Sequence, residues 1–301
     1  MTQFSSRPAE RLWRLILMVA AMLPIFSAAR ADALVEKTWI HGSANCAENR
    51  DAPLETFQFD ADTYIFRQNK CLNFEGPFIY VMFGQHTVFI QDTGATADAA
   101  QFPLHETVRR LMRQRGDEKL NILVTHSHSH GDHIAGDAQF RGQPGVTLVE
   151  PNAPAVREHF GFTNWPDGVA TIDLGGRTLT VLPAPGHQDE ALVVYDERTR
   201  WLLTGDSLYP GRLYVRDWAA FRASVEHLVT FTKTHPVSAI MGTHIELARN
   251  GEQYPAGTTH QPDEASLVLT TRDLEELDRL LQQAGAEPKQ IATQRFIVWP
   301  K

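Results

Sequence analysis

Apolar residues occur in short runs along most of the chain, and their spacing predicts strands that alternate with helices. Short apolar runs bounded by glycine, proline or polar residues predict strands. In the first half such runs lie at 63–66, 77–84, 86–94, 121–125 and 147–151. In the second half they lie at 171–174, 177–184, 192–196, 200–205, 238–244 and 295–299. Gly84-Gln85 and Gly175-Gly176 separate neighbouring runs and predict hairpins.

Other segments repeat their apolar residues at helical spacing, and these lie at 103–116, 153–160, 218–231 and 272–285. The last is the clearest, since Leu274, Leu277 and Leu281 recur on one side and Gly285 follows them. Strands first, then helices and strands in alternation, predict two packed sheets with helices outside. No stretch rich in Pro, Gly or Ser divides the chain, so we expect one large domain.

The N-terminal segment has the pattern of a secretory signal peptide. Arginines precede an apolar run at 15–26, and Ala29-Arg30-Ala31 offers a small-residue cleavage site. The apolar run is shorter than the roughly 20 residues that span a bilayer. We therefore expect a signal peptide at 1–31, a domain at 32–301, and a periplasmic or secreted protein without a membrane span after cleavage. In that oxidising setting Cys46 and Cys71 are expected to pair, the alternative being two buried thiols.

The composition mainly excludes one class of protein. Hydrophobic residues make up 43% and charged residues 21% of the chain, which is typical of a globular protein. The net charge of −8 argues against a sequence-independent nucleic-acid binder, since such a protein needs a basic surface. We expect a small-molecule substrate and no nucleic-acid partner, and the sequence leaves the oligomeric state open.

The densest chemistry lies in the stretch THSHSHGDHIAG at 125–136, directly after a predicted strand. Zinc sites that hydrolyse substrates often have the order H-x-H-x-D-H. Only the frame that starts at His128 fits this order. His126 lies outside the frame, and we interpret it as a hydrogen-bonded histidine between the sheet and the site rather than a ligand.

The spacing inside the frame suits two metal ions. Residues i and i+2 of an extended segment point to one side, so His128 and His130 can bind one ion. Gly131 lets the chain turn, and Asp132 and His133 can then face a second ion. Imidazole and carboxylate are both common zinc ligands. These side chains are too few to complete two sites, so further ligands must come from elsewhere in the chain.

Further short motifs complete a family resemblance. The motifs are DTG at 92–94, HSHGDH at 128–133, APGH at 184–187, TGDSLY at 204–209 and MGTH at 241–244. Their order and their positions after apolar strands resemble the metallo-β-lactamase superfamily, specifically its binuclear hydrolases of the glyoxalase II and lactonase type. The resemblance covers roughly residues 60–250. It implies an α/β fold, a four-layer αββα sandwich with the metals at one end of the two sheets.

The resemblance also implies a ligand set for two Zn²⁺ ions, with iron or manganese as possible substitutes. By position the ligands are His128, His130 and His187 for the first ion, Asp132, His133 and His244 for the second, and Asp206 as the bridge between them. His260 is a rival of His244, but no predicted strand leads into it. Asp92 is expected either to orient a ligand imidazole or to cap its strand through an Asx turn.

The implied reaction is cleavage of an ester, lactone or thioester by a hydroxide that both ions share. Asp132 would orient this nucleophile or carry its proton, and Tyr209 would donate to the leaving group or simply pack. The alternatives are a phosphodiesterase, a β-lactam-hydrolysing enzyme, or a metal-binding accessory protein with weak hydrolase activity. Zinc β-lactamases usually lack an aspartate at the position of Asp206. Di-iron relatives usually carry a glutamate at the position of His130, so the pattern favours zinc and hydrolysis.

Overall fold

The computed structural model describes residues 30–301. Residues 30–37 belong to a unit of their own and are helical over 30–35, while residues 38–301 form a second, much larger unit. The predicted signal peptide at 1–31 lies almost wholly outside the described residues, so export stays a prediction. Within residues 30–301, no helix combines the length and the apolar character that a membrane crossing requires.

The first sheet has its six strands in chain order. They are β1 (Leu54–Asp60), β2 (Thr63–Gln68), β3 (Phe78–Phe83), β4 (Thr87–Gln91), β5 (Asn121–Thr125) and β6 (Val146–Leu148). Strands β4, β5 and β6 run parallel, because helix α1 (Leu104–Arg115) returns the chain between β4 and β5. Leu104, Val108 and Met112 of α1 pack on the outer face of this sheet. Every residue of β2 and β3 is buried, so this part of the sheet is covered on both faces.

Short helical elements follow β5 and β6. Helix α2 (Gly131–Ile134) and a 3₁₀ turn (Ala135–Gln139) come directly after β5, and helix α3 (Ala153–Phe160) comes after β6. Asn152 caps α3, since its side chain accepts from the Ala155 amide. The segment of α2 therefore carries the second half of the histidine-rich stretch as a tight helical turn.

The second sheet has five strands in the order β12-β10-β9-β8-β7. They are β7 (Ala170–Asp173), β8 (Thr178–Pro183), β9 (Leu192–Asp196), β10 (Trp201–Gly205) and β12 (Ala239–Gly242). A small third sheet contains β11 (Arg212–Val215), β13 (Ile291–Ala292) and β14 (Ile297–Pro300). Helices α4 (Trp218–Thr232) and α5 (Thr271–Ala284) pack against the second sheet in one apolar cluster.

The two large sheets are joined by hydrogen bonds between polar groups as well as by apolar packing. The Tyr80 hydroxyl in β3 donates to the Gly242 carbonyl in β12 over 2.6 Å. Arg177, which precedes β8 and is 2% exposed, donates to both carboxylate oxygens of Asp196 at 3.0 and 2.7 Å. The same guanidinium donates to the Thr63 hydroxyl of the first sheet at 3.0 Å. The layers are therefore helix, sheet, sheet and helix, as predicted.

The predicted elements differ from the structure in a few places. The sequence analysis does not predict β1, β11 or β13, and the bounds of several other strands shift by one to three residues. Both predicted hairpins are present, as β3–β4 and β7–β8. The predicted disulfide is confirmed, with the Cα atoms of Cys46 and Cys71 lying 5.2 Å apart.

Candidate metal centre

All seven predicted ligands follow the carboxyl ends of strands at one edge of the sheets. Strand β5 precedes the histidine-rich stretch, β8 precedes His187, β10 ends one residue before Asp206, and β12 ends two residues before His244. Because β10 and β12 are parallel, their carboxyl ends meet at the same edge. The side chains fall into two adjoining groups, which are His128, His130, His187 and Asp206, and Asp132, His133 and His244.

The first group is a triangle of imidazole nitrogens. His128 Nε2 lies 2.9 Å from His130 Nδ1 and 3.2 Å from His187 Nε2, and the latter two nitrogens are 3.1 Å apart. Asp206 Oδ2 faces this triangle at 3.8 Å from His128 Nε2 and 3.6 Å from His187 Nε2. A neutral imidazole has only one N–H proton, so the three nitrogens cannot all hydrogen-bond to one another. These three nitrogens and an oxygen of Asp206 all lie within 4.8 Å of one another, as the donor atoms around one ion would.

The second group faces the other oxygen of Asp206. Asp132 Oδ2 lies 3.3 Å from His133 Nε2 and 3.1 Å from His244 Nε2. Asp206 Oδ1 lies 3.7 Å from His133 Nε2 and 3.5 Å from His244 Nε2. One carboxylate therefore lies between the two groups and presents one oxygen to each of them. His260 is in neither group.

Backbone carbonyls hold two of the imidazoles in place. His187 Nδ1 lies 2.6 Å from the Tyr214 carbonyl oxygen, and His244 Nδ1 lies 3.4 Å from the Glu75 carbonyl oxygen. A carbonyl accepts but does not donate, so the Nδ1 of each of these two rings carries a proton. In both residues it is Nε2 that points into the site.

Asp92 holds His133 in the same way, which is the contact predicted for it. Its Oδ2 lies 3.1 Å from His133 Nδ1, and its two oxygens accept from the Ser127 hydroxyl at 3.0 Å and the Ser127 amide at 2.7 Å. Asp92 has a φ of 69°, in the left-handed region that few non-glycine residues adopt. These hydrogen bonds at the end of β4 offset a backbone cost of about 1 kcal/mol or more.

His126 and Gly131 have simpler roles. His126 Nε2 lies 2.8 Å from Asp137 Oδ1, which also accepts from the Thr93 hydroxyl at 2.8 Å. His126 is therefore a hydrogen-bonded histidine outside both groups, as interpreted from the sequence.

The turn at Gly131 does not require glycine, since its φ is not positive and a Cβ there would have open space.

The charges in the site are strongly coupled. Burial would raise the pKa of Asp206, but the charges of His244 and His133 outweigh burial and hold this pKa well below its usual value. The pKa of Asp132 is also lowered, since the charges of His133 and His244 outweigh its burial. Burial would lower the pKa of His244, but Asp206 and Asp132 raise it to about 9. For His128, burial and the charge of His133 lower the pKa.

Two buried atoms in the centre make no hydrogen bond with any residue in the range 30–301. They are His133 Nε2 and Asp206 Oδ1. A buried polar atom without a partner costs about 1–3 kcal/mol, so such atoms call for a ligand. The two atoms lie 3.7 Å from each other.

A cleft of about 550 Å³ opens over the centre. Two segments, 207–218 and 245–262, contribute to its wall. The side chains around it include His130, Asp132, His187, Asp206 and His244 from the centre, and Lys70, Phe74, Tyr209, Tyr214, Arg216, Gln261 and Lys301 around them.

Tyr209 is placed in the wall of this cleft and is 2% exposed. Its hydroxyl donates to the Arg212 carbonyl and lies 3.3 Å from Glu246 Oε2. Its ring centroid is 5.6 Å from that of His244. The ring thus contacts the centre, while the hydroxyl is directed at the backbone of the loop that follows.

The sequence analysis missed two side chains that support the centre. Glu190 Oε1 accepts from the Ser129 amide at 2.9 Å and so fixes the backbone between two of the histidines. Gln188 contacts His130 Nε2 and also accepts from Arg216 at 2.7 Å. Both follow His187 closely, and this position was the only signal in the sequence that could have pointed to them.

Two sheets flanked by helices, with histidine and aspartate groups at one edge, define an α/β protein with a candidate binuclear metal centre. The sequence pattern of the metallo-beta-lactamase superfamily matches residues 72–282. Since this match covers more than half of the sequence, the chain belongs to the metallo-beta-lactamase superfamily. The family predicted from the motifs is confirmed.

Curated relatives are similar over part of their length. A hydroxyacylglutathione hydrolase of Rhizobium meliloti is 27% identical over 125 residues, which are 40% of this chain and 47% of that protein. One of Methylobacterium sp. is 32% identical over 126 residues, again 47% of that protein. The chain thus spans about half the length of these two relatives. One of Brucella ovis is 24% identical over 210 residues, 68% of this chain and 77% of that protein.

Solved structures of the superfamily share the fold. A metallo-beta-lactamase from Pontibacter korlensis superposes with a TM-score of 0.51 at 17% identity, covering 76% of this chain and 99% of that one. The metallo-beta-lactamase FIM-1 from Pseudomonas aeruginosa gives a TM-score of 0.51 at 14% identity and covers 79% and 99%. At such identities the likeness concerns the fold alone, and it confirms the predicted fold class.

Proposed function

We propose that this chain is an exported binuclear zinc hydrolase that cleaves ester, lactone or thioester bonds. The observation that carries the proposal is the position of Asp206, with Oδ2 toward the first group and Oδ1 toward the second. Relatives named hydroxyacylglutathione hydrolase support an acyl substrate. The disulfide supports export, because disulfides persist in oxidising compartments.

The donor set fits zinc. A tetrahedral zinc ion with bonds of about 2.0 Å separates its donors by about 3.3 Å. The three nitrogens of the first group lie 2.9 to 3.2 Å apart, close to that separation. Imidazole with carboxylate, and no cysteine, suits a catalytic rather than a structural zinc site. We assign His128, His130 and His187 to one ion, Asp132, His133 and His244 to the other, and Asp206 to both.

A pair of bound zinc ions would supply a shared water with a pKa near 7 and polarise the carbonyl oxygen of the substrate. The chain supplies the orientation. The carbonyls of Tyr214 and Glu75 and the carboxylate of Asp92 fix the tautomers of three ligands, which prevents the imidazoles from turning. We propose that Asp132, whose carboxylate lines the cleft, accepts a hydrogen bond from the attacking water and so orients it.

A substrate panel with controlled metal content tests this function. The purified protein is expected to contain two zinc ions per chain and to hydrolyse a 4-nitrophenyl ester and a thiolactone. Activity should disappear with a chelator and return with zinc. Bis(4-nitrophenyl) phosphate and a chromogenic cephalosporin test the phosphodiesterase and β-lactam alternatives. Turnover of the phosphodiester alone, or full turnover by metal-depleted protein, would contradict the proposal.

Tyr209 as a donor to the leaving group stays a prediction with its own test. The hydroxyl has one proton, so it can serve the substrate only by leaving the Arg212 carbonyl. If it does so, Tyr209→Phe lowers kcat by roughly 10-fold or more at unchanged zinc content. An unchanged kcat with a lower Tm would instead assign the hydroxyl to supporting the Arg212 backbone.

A further inference from the structure

Lys70 is a buried lysine at the wall of the cleft. It follows β2 and is 2% exposed, although it lines the cleft. Its Nζ donates to the Phe74 carbonyl at 2.7 Å and lies 3.4 Å from the Glu75 carbonyl oxygen. Lysine is almost never fully buried unless it is paired, so this position needs a physical reason.

This ammonium group has no close carboxylate partner in the part of the chain that the structure describes. Among residues 30–301, no carboxylate oxygen lies within 4.0 Å of Lys70 Nζ. Nearby Glu264 pairs with Arg67 at 2.9 Å, and so its charge is already compensated. Burial and the charge of Arg67 lower the pKa of Lys70 to about 8. The hydrogen-bond partners of Lys70 are neutral carbonyls, and the more distant charges of Glu264, Glu246 and Glu75 offset its burial only in part. An anion in the cleft would offset more of that cost.

Gln261 lies in the same part of the cleft and also lacks a partner. It is 4% exposed, and its Oε1 is buried without a hydrogen bond to any residue that the structure describes. Its backbone amide donates to the His41 carbonyl at 3.0 Å, and a Cβ on the adjacent Gly42 would lie 2.9 Å from the Lys70 Cβ. The segments that carry the two side chains are therefore neighbours in the wall. The side-chain amide nitrogen of Gln261 makes no hydrogen bond with residues 30–301, so it can donate to a ligand in the cleft.

We propose that Lys70 and Gln261 form a subsite that binds a carboxylate of the substrate. The preferred substrates are then esters, lactones or thioesters that carry a carboxylate, and this inference rests on the proposed hydrolase function. An ammonium group and an amide NH₂ together satisfy both oxygens of a carboxylate, and hydrogen bonds between charged groups are the stronger kind. Phe74, which is 43% exposed at the cleft, offers an apolar surface for the chain that links carboxylate and acyl group.

A pair of matched esters tests the subsite in the zinc-loaded protein. The mono-4-nitrophenyl esters of adipate and suberate carry a free carboxylate. In the matched methyl diesters the 4-nitrophenyl ester is kept and that carboxylate is a methyl ester. The acid form is expected to have a kcat/KM roughly 10- to 100-fold above that of its methyl diester, mainly through a lower KM. Lys70→Met should remove this preference, so that the ratio of the two kcat/KM values falls to about one. Lys70→Arg should retain part of the preference.

Two further variants keep the test decisive. Gln261→Leu is expected to reduce the preference by roughly 3- to 10-fold, and it provides the answer if Lys70→Met does not fold. Lys119→Met, at an exposed lysine just before β5, is the matched control and should leave the preference unchanged. Equal rates for acid and methyl diester in the unmodified protein, or a preference that survives in both variants, would overturn the subsite alone. No turnover of any ester would instead contradict the proposed hydrolase function.

Discussion

Replacing Asp206 by asparagine is expected to lower kcat/KM by at least about 1000-fold, or about 4 kcal/mol of transition-state stabilisation. The amide keeps the shape of the side chain but loses the charge and one of its two acceptor oxygens. Both oxygens are needed, because Oδ2 faces the first group of imidazoles and Oδ1 faces the second. We expect zinc content to fall from two ions per chain to one or fewer, as measured by elemental mass spectrometry beside the ester assay.

The control is the same change at an exposed carboxylate nearby. Asp189→Asn lies two residues after His187, is exposed and does not line the cleft. It should leave zinc content and kcat/KM within about twofold of the original protein. Full zinc content and full activity in Asp206→Asn would refute the assignment of this residue as the bridge.

Replacing Arg177 by methionine is expected to lower the free energy of unfolding by about 3–5 kcal/mol. The change leaves the Asp196 carboxylate buried without its partner, and it removes the hydrogen bond to Thr63 in the opposite sheet. Burial raises the pKa of Asp196, but its hydrogen bond from Arg177 outweighs burial and lowers it, so the pair is held as ions. Urea denaturation at a fixed zinc concentration measures the effect.

Arg198→Met provides the comparison for this second prediction. Arg198 is 44% exposed and pairs with Asp62 at 2.6 Å, so its loss should cost no more than about 1 kcal/mol. The double variant Arg177→Met with Asp196→Asn should recover part of the lost stability, because it removes the unpaired charge. An Arg177→Met loss no greater than that of Arg198→Met would show that the buried pair does not hold the sheets together.

The ligand positions could be predicted because their signal is local. The frame at 128–133 contains four of them, and its i, i+2 spacing in an extended segment already places His128 and His130 on one side. Asp132 and His133 follow in the helical turn of α2. Apolar runs that predict strands precede His187, Asp206 and His244. Parallel strands bring their carboxyl ends to one edge, but it was the resemblance to the metallo-β-lactamase superfamily that singled out these three residues.

Several strands and contacts of the structure leave no local pattern in the sequence. Strand β13 has only two residues, and β11 begins on Arg212, whose charge hides the apolar pattern. Every residue has a carbonyl, so the sequence cannot show that those of Tyr214 and Glu75 orient ligands. Nor can it show that Lys70 is buried, because lysine is expected at the surface and its burial results from long-range packing.

The seven side chains of the metal centre are divided between the two large sheets. Four follow β5 of the first sheet, and the other three follow β8, β10 and β12 of the second. Neither half of the molecule therefore contains a complete binding site. Two ions bound as proposed would stabilise the native state only after both halves had formed and associated, so their capture would be a late event in maturation. Zinc uptake would then report correct assembly of the two halves, and a nascent chain that has completed only its first sheet cannot yet be active.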